Sequence, residues 1–111
     1  MPKSQFTIFM LLKARPEWLR LTREERNAIA GAALEESLEG QTVVHRHFDA
    51  EAYSGFCSDV AVFETGDPGA YYFAVERLRD TPLFQVPYFD VVAIIPSVED
   101  GFVGFEARHA I

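Results

Sequence analysis

The sequence predicts an α+β domain in which two helices cover one face of a four-stranded antiparallel sheet, in the order β-α-β-β-α-β. Three observations lead there: four apolar segments of strand-like character, two helical stretches announced by N-capping residues, and the order in which the two kinds follow one another. The chain has 111 residues, the size of one domain, read as 1–111 with a core at 5–97 and a C-terminal tail at 98–111. Folding at this size buries roughly two-thirds of the unfolded chain's surface, enough for one core without disulfides. Hydrophobic residues make up 49% and aromatics 14%, which excludes a disordered tail.

The first strand runs from Gln5 to Lys13. Phe6, Ile8, Met10 and Leu12 occupy one parity, and Thr7, Phe9 and Leu11 the other, so both faces are apolar. Pro16 ends the strand, and Trp18, Leu19 and Leu21 form an apolar clasp after it. Thr22 followed by Glu25 is a capping box. Ile29, Ala30, Ala33, Leu34 and Leu38 then keep helical spacing up to Gly40, a natural C-terminal cap. Gln41 to Asp49 and Phe56 to Glu64 read as strands two and three, joined by a hairpin through Ala50 to Gly55. Asp67 and Pro68 open a second helix, Pro68 to Arg79, which buries some of Tyr71, Phe73, Ala74, Val75 and Leu78. Thr81-Pro82 stops it, Pro82 to Pro87 reads as a loop, Tyr88 to Ile95 as strand four, and Val98 to Ile111 as an irregular tail.

This order is the split βαβ arrangement of ferredoxin-like domains. Two helices cover one sheet face, yet Phe9, Leu11, Val60, Val62, Val91, Ala93 and Ile95, or their opposite-parity neighbours, make the other face apolar too. A second copy packing sheet against sheet, as in dimeric α/β barrels, is the economical cover, so a homodimer is expected. Seventeen acidic against ten basic residues give a net charge of −7, which makes nucleic acid and anionic membranes poor partners. The single cysteine, Cys57, permits neither an intrachain disulfide nor a cysteine-based zinc site and is expected to be a small buried hydrophobe. Met1-Pro2-Lys3-Ser4 leads straight into the first strand with no signal peptide, and no apolar run reaches a membrane span's length, so a cytoplasmic protein is expected.

Several blocks resemble the darcynin family of bacterial proteins. They are Phe6 to Leu12, Trp18-Leu19, Arg23 to Asn27, Phe48 to Gly55, Cys57-Ser58-Asp59, Phe63-Glu64-Thr65, Leu78 to Phe84 and Val86 to Phe89. The resemblance spans about residues 5 to 105. The family has no established activity, so it transfers no catalytic residues. More distantly, the order of elements is similar to the dimeric α/β barrel superfamily, which includes cofactor-free monooxygenases of polyketide quinones, muconolactone isomerase-like enzymes and polyketide cyclases. Fold likeness alone does not choose among them.

Polar residues interrupting apolar strands mark where chemistry would lie. His45 and His47 share one face of strand two and Arg46 the other, with Ser58 and Asp59 in strand three. A turn at Ala52-Tyr53 sets Arg46 opposite Asp59 and His47 opposite Ser58. A one-residue shift instead sets His45 opposite Asp59 and His47 opposite Cys57. The His-x-His pair is a solvated or structurally bonded pair, a general base, or, with Asp59, a weakly signalled metal site. Arg46 with Asp59 is a cross-strand ion pair or an anion clamp. Asp90 reads as an edge residue. Tyr53, Tyr72, Tyr88 and Phe84 belong to core and interface, or line a pocket for a planar apolar ligand roofed by Thr81 to Pro87.

No phosphate-cradling glycine loop, nucleophile elbow or haem-attachment motif is present, and the chain is too short to resemble a chlorite dismutase subunit. The leading expectation is a cofactor-independent enzyme of the dimeric α/β barrel type, carrying out proton transfer, cyclisation, isomerisation or oxygenation of a small aromatic or polyketide-like metabolite. His45 or His47 would be its base, Arg46 and Asp59 its charged helpers, and Tyr53, Tyr72, Tyr88 and Phe84 its ligand contacts. The alternative is a non-catalytic module that binds a small ligand or another protein.

Overall fold

A computed structural model describes residues 5–109, the last of them by its backbone alone. Met1 to Ser4 and the tail residues Ala110 and Ile111 lie outside the described residues. The elements are β1 (Phe6–Ala14), α1 (Pro16–Leu19), α2 (Arg23–Leu38), β2 (Val44–Asp49), β3 (Asp59–Thr65), α3 (Pro68–Arg79), α4 (Pro82–Gln85), β4 (Phe89–Val98) and α5 (Gly101–His109). The strands form one antiparallel sheet in the order β2-β3-β1-β4, the α+β arrangement expected.

The two long helices start where their capping residues dictate. The Thr22 hydroxyl accepts from the Glu25 amide at 3.1 Å, and the Glu25 carboxylate accepts from the Thr22 amide at 2.9 Å. Gly40, at φ +75°, supplies the left-handed residue that ends α2. Asp67 caps α3 by accepting from the Gly69 amide at 2.9 Å, with Pro68 in the first turn. Both helices lie on the inner sheet face. There Ile8, Met10 and Leu12 of β1 and Phe63 of β3 pack with Ala33 of α2 and Ala70, Ala74 and Leu78 of α3. Cys57 is buried, as expected of a lone small hydrophobe.

Three expectations fail for local reasons. Pro82 to Gln85 is a short helix, because proline at a first helical position starts a helix as readily as it stops one. The tail from Gly101 is helical through His109 despite its two glycines. Strand two begins at Val44 rather than Gln41. The preceding Thr42 instead gives its carbonyl to the Thr65 hydroxyl, at 2.8 Å.

Strand register departs further. Asp49 pairs with Asp59 and His47 with Ala61, so neither expected pairing of strands two and three is formed. The connection absorbs more residues than a tight hairpin because its polar side chains bond locally. Asp49 accepts from the Glu51 amide, and Ser54 accepts from the amides of Phe56 and Cys57. In β4 the pairing with β1 slips between Leu11 and Leu12, leaving Val92 as an extra residue. Val91 therefore faces inward opposite Leu12, whereas Ala93 and Ile95 face outward opposite Leu11 and Phe9; the grouping of Val91 with them is corrected.

The outer face carries Phe9, Leu11, Val60, Val62, Ala93 and Ile95, flanked by Val44, Arg46 and Phe48 of the edge strand β2. Among the described residues no helix packs over it; Val62 at its middle is buried by its neighbours, whereas Ile95, Phe48 and Val44 are 49%, 47% and 60% exposed. Among the described residues, no helix is long and apolar enough to cross a membrane.

Candidate active site at the edge of the inner face

Where β2 runs beyond the cover of the helices, the inner face opens into a cavity of about 100 Å³. Its walls are Met10, Leu12, Ala61, Phe63 and Phe89 from the sheet, Ala30 and Leu34 from α2, Leu78 from α3, Leu83 and Phe84 from α4, and Trp18 from α1. His45, His47 and Asp59 supply its polar atoms. Alternation explains the selection: positions 45 and 47 of β2 and 59, 61 and 63 of β3 all project inward.

The three polar residues differ in state. His47 Nε2 stands 2.7 Å from Asp59 Oδ2, a diagonal cross-strand contact, since His47 pairs directly with Ala61. Burial by itself would raise the Asp59 pKa, but hydrogen bonds from His47 and Ser58, together with the charge of His47, outweigh it and hold the carboxyl below its ordinary range. With Asp59 ionised, Nε2 donates and the lone pair of a neutral His47 resides on Nδ1. His45 is next to it, with ring centroids 5.5 Å apart, and lies 5.3 Å from the Phe63 ring. Burial, reinforced by repulsion from His47, lowers its pKa from 6.5 to about 4, so it is neutral at physiological pH. Its Nε2 is buried with no hydrogen-bond partner. An unpaired buried polar atom costs about 1–3 kcal/mol, and a ligand that bonds to it recovers that energy.

Arg46 does not join this group. It projects from the outer face, pairs with Glu64 at 3.2 Å rather than with Asp59, and lies over the Phe48 ring at 5.5 Å. Asp90 is an edge residue, held by both of its oxygens to Arg15 at 3.1 Å. Phe84 lines the cavity, and the segment Thr81 to Pro87 roofs it through Leu83 and Phe84. Tyr88 stacks on Trp18 at 5.3 Å, behind the wall. Tyr53 is 96% exposed in the β2–β3 connection, and Tyr72 is exposed on α3 beside Phe73, so neither borders the cavity. Trp18 is the wall residue that the sequence left in a clasp. Its role depends on α1 folding back so that the ring lies 4.9 Å from Phe89, a contact without local signature. Among the described residues, no three histidine, cysteine or acidic side chains converge as metal ligands, so the His45, His47 and Asp59 metal reading lacks its geometry.

Known proteins of similar fold and sequence place the chain. A chlorite dismutase variant from Candidatus Nitrospira defluvii superposes with a TM-score of 0.70 at 19% identity, covering 88% of this chain and 41% of that one. A heme-binding protein from Thermus thermophilus gives 0.72 at 18% identity, covering 95% of this chain and 45% of that one. The chain thus spans less than half the length of these neighbours. The expectation that the chain is too short to resemble a chlorite dismutase subunit is corrected: its fold matches somewhat less than half of one. In sequence it is 55% identical over 65 residues to a darcynin of Chromobacterium violaceum, covering 59% of this chain and 82% of the relative. It is 42% identical over 90 residues to one of Acinetobacter baumannii, covering 80% of this chain and all of the relative. Darcynin, a domain of unknown function, matches over residues 2–111, and with that the blocks around β1, β3 and α4 have their explanation: the chain belongs to the darcynin family.

Proposed function

We propose that this darcynin is a cofactor-independent enzyme of the dimeric α/β barrel type that moves a proton on a small, largely apolar substrate. The observation that carries the reading is the His47–Asp59 pair, 2.7 Å apart, beside a neutral His45 whose buried Nε2 has no partner, at an apolar cavity. Asp59 accepts from His47 Nε2 and so holds the ring in one orientation and tautomer, leaving Nδ1 as the atom that can take a proton. His45, neutral through the physiological range, bonds to the substrate's oxygen without bringing a charge. Arg46 has no part in this scheme, because it extends from the opposite face. Of the proposed aromatic contacts, Phe84 is kept. Tyr53 and Tyr72 would touch ligand only if it extended far beyond the cavity, and Tyr88 acts by supporting Trp18.

The structural neighbours named for chlorite dismutase and heme binding raise the question of a tetrapyrrole. Pockets for drug-sized ligands run to about 300–1,000 Å³. The present cavity of about 100 Å³ does not accommodate so large a group. The apolar outer sheet face supports a homodimer, and the sequence reading supports a cytoplasmic location.

The test follows exchange of the α-hydrogens of small ketones, from acetone to acetophenone, in D2O by NMR. Wild-type protein accelerates exchange. His47→Gln and Asp59→Asn each lose about 10²–10⁴-fold, the usual worth of general acid–base catalysis. Undiminished exchange in His47→Gln would overturn the base assignment. Ketone binding without exchange would instead favour the binding-module alternative, which the apolar walls alone would serve.

A further inference from the structure

Helix α5 is exposed along its described length. Every described side chain from Gly101 to Arg108 is exposed, Phe102 and Val103 by 64% and 54%. The chain's radius of gyration is 16.1 Å, against about 13 Å for a compact chain of this length, and its extents are 58 × 33 × 18 Å. A nine-residue helix that exposes apolar side chains is too short to hold its shape in water by itself, since isolated helices below about 12–15 residues are marginal.

The surface that suits it lies at its root. A groove of about 330 Å³ on the outer sheet face is lined by Phe9, Arg46, Glu64, Val98 and Glu99, with Thr7 and Ser97 between them. We propose that α5 is an exchanged arm: in a two-fold pair of chains, each α5 seats in the outer-face groove of the second copy. The inference rests on the homodimer proposed above and adds what holds it together. Three features favour a second copy as the occupant. The groove begins where the arm leaves the sheet, at Val98 and Glu99, so a two-fold axis near that point serves both arms at once. Charge is the second, because Arg46 and Glu64 already pair with each other at 3.2 Å, leaving Glu99 as the groove's charge for Arg108 of the arm. Area is the third. Four strands about 4.8 Å apart and seven residues long offer a footprint of roughly 400 Å². A stable interface needs about 800 Å² of accessible surface per partner. The sheet face alone falls short of that, and the arm, about 13 Å long and 10 Å across, adds roughly 130 Å² of its own, the groove it covers being part of the face already counted.

Sedimentation of the full-length chain across about 0.1–100 µM tests the proposal, with Phe102→Glu/Val103→Glu and Ile95→Glu as variants. The altered side chains are exposed in one chain, so the fold should survive, and Trp18 fluorescence checks that it does. The expected result is a wild-type dimer whose Kd weakens at least about 100-fold in the arm variant. If Ile95→Glu dissociates the dimer while the arm variant stays within about twofold of wild type, the exchanged arm is refuted and the sheet-to-sheet pair stands. A wild-type monomer throughout, or a dimer indifferent to both variants, overturns both.

Discussion

His45 makes the stability of the fold depend on pH in a window of its own. Its folded pKa of about 4 lies below the ordinary 6.5, because burial and His47 disfavour the charged ring. Above 6.5 the ring is neutral in both folded and unfolded chains and no penalty applies. Below it the unfolded chain takes up a proton that the folded chain refuses until about pH 4, so stability falls as pH falls between those values. The full difference corresponds to about 3.4 kcal/mol, of which about 2 kcal/mol is expressed at about pH 5. Solvent reaching the cavity mouth at His47 screens part of this, and about 1 kcal/mol at about pH 5 is the discounted expectation. Urea unfolding followed by Trp18, the single tryptophan and a wall of the cavity, reads it directly at fixed protein concentration. The wild-type midpoint should fall by about 0.3–1 M urea between about pH 7.5 and pH 5, relative to His45→Leu, which has nothing to titrate there. Wild type and His45→Leu running parallel over that range would refute the burial argument. Asp59 adds loss only at lower pH. Its depressed pKa contributes stability above the ordinary carboxylate range that is lost as pH drops through the folded value.

Three further outcomes follow from the same geometry. Arg46→Ala should cost no more than about 1 kcal/mol in chemical denaturation and leave α-hydrogen exchange unchanged, since its exposed pair with Glu64 lies across the sheet from the cavity. Thr22→Ala removes one half of a capping box and should cost about 1 kcal/mol by the same measurement. Phe63→Ala, at a ring only 1% exposed between the core and His45, should cost about 3–5 kcal/mol and abolish ketone binding as monitored by Trp18 fluorescence.

Local chemistry made much of the fold legible and little of the site. Thr22, Glu25, Asp67 and Gly40 act on backbone groups a few residues away, so both long helices follow from sequence alone. The histidines' shared face follows likewise from strand alternation. Their partner does not, because the pairing of β2 with β3 is set by a connection whose Asp49 and Ser54 bonds lengthen the turn. Arg46 seemed able to reach Asp59 only in a register that this turn forbids. Tyr53 and Tyr72 illustrate the limit of composition: an aromatic-rich chain does not say which rings share a cavity, and these two stand in solvent.

The extra residue at Val92 makes β4 a strand of two phases. Phe89 and Val91 keep time with one end of β1, and Ile94, Pro96 and Val98 with the other. Insertions and deletions in this strand are therefore not equivalent to those in β1 or β3. Losing Val92 would put the two halves in one phase with every facing kept, Val91 still inward opposite Leu12 and Ala93 outward opposite Leu11, whereas losing a paired residue such as Ile94 would turn one half of the strand over. A strand of this kind tolerates a change in its count at the bulge and not along its paired halves.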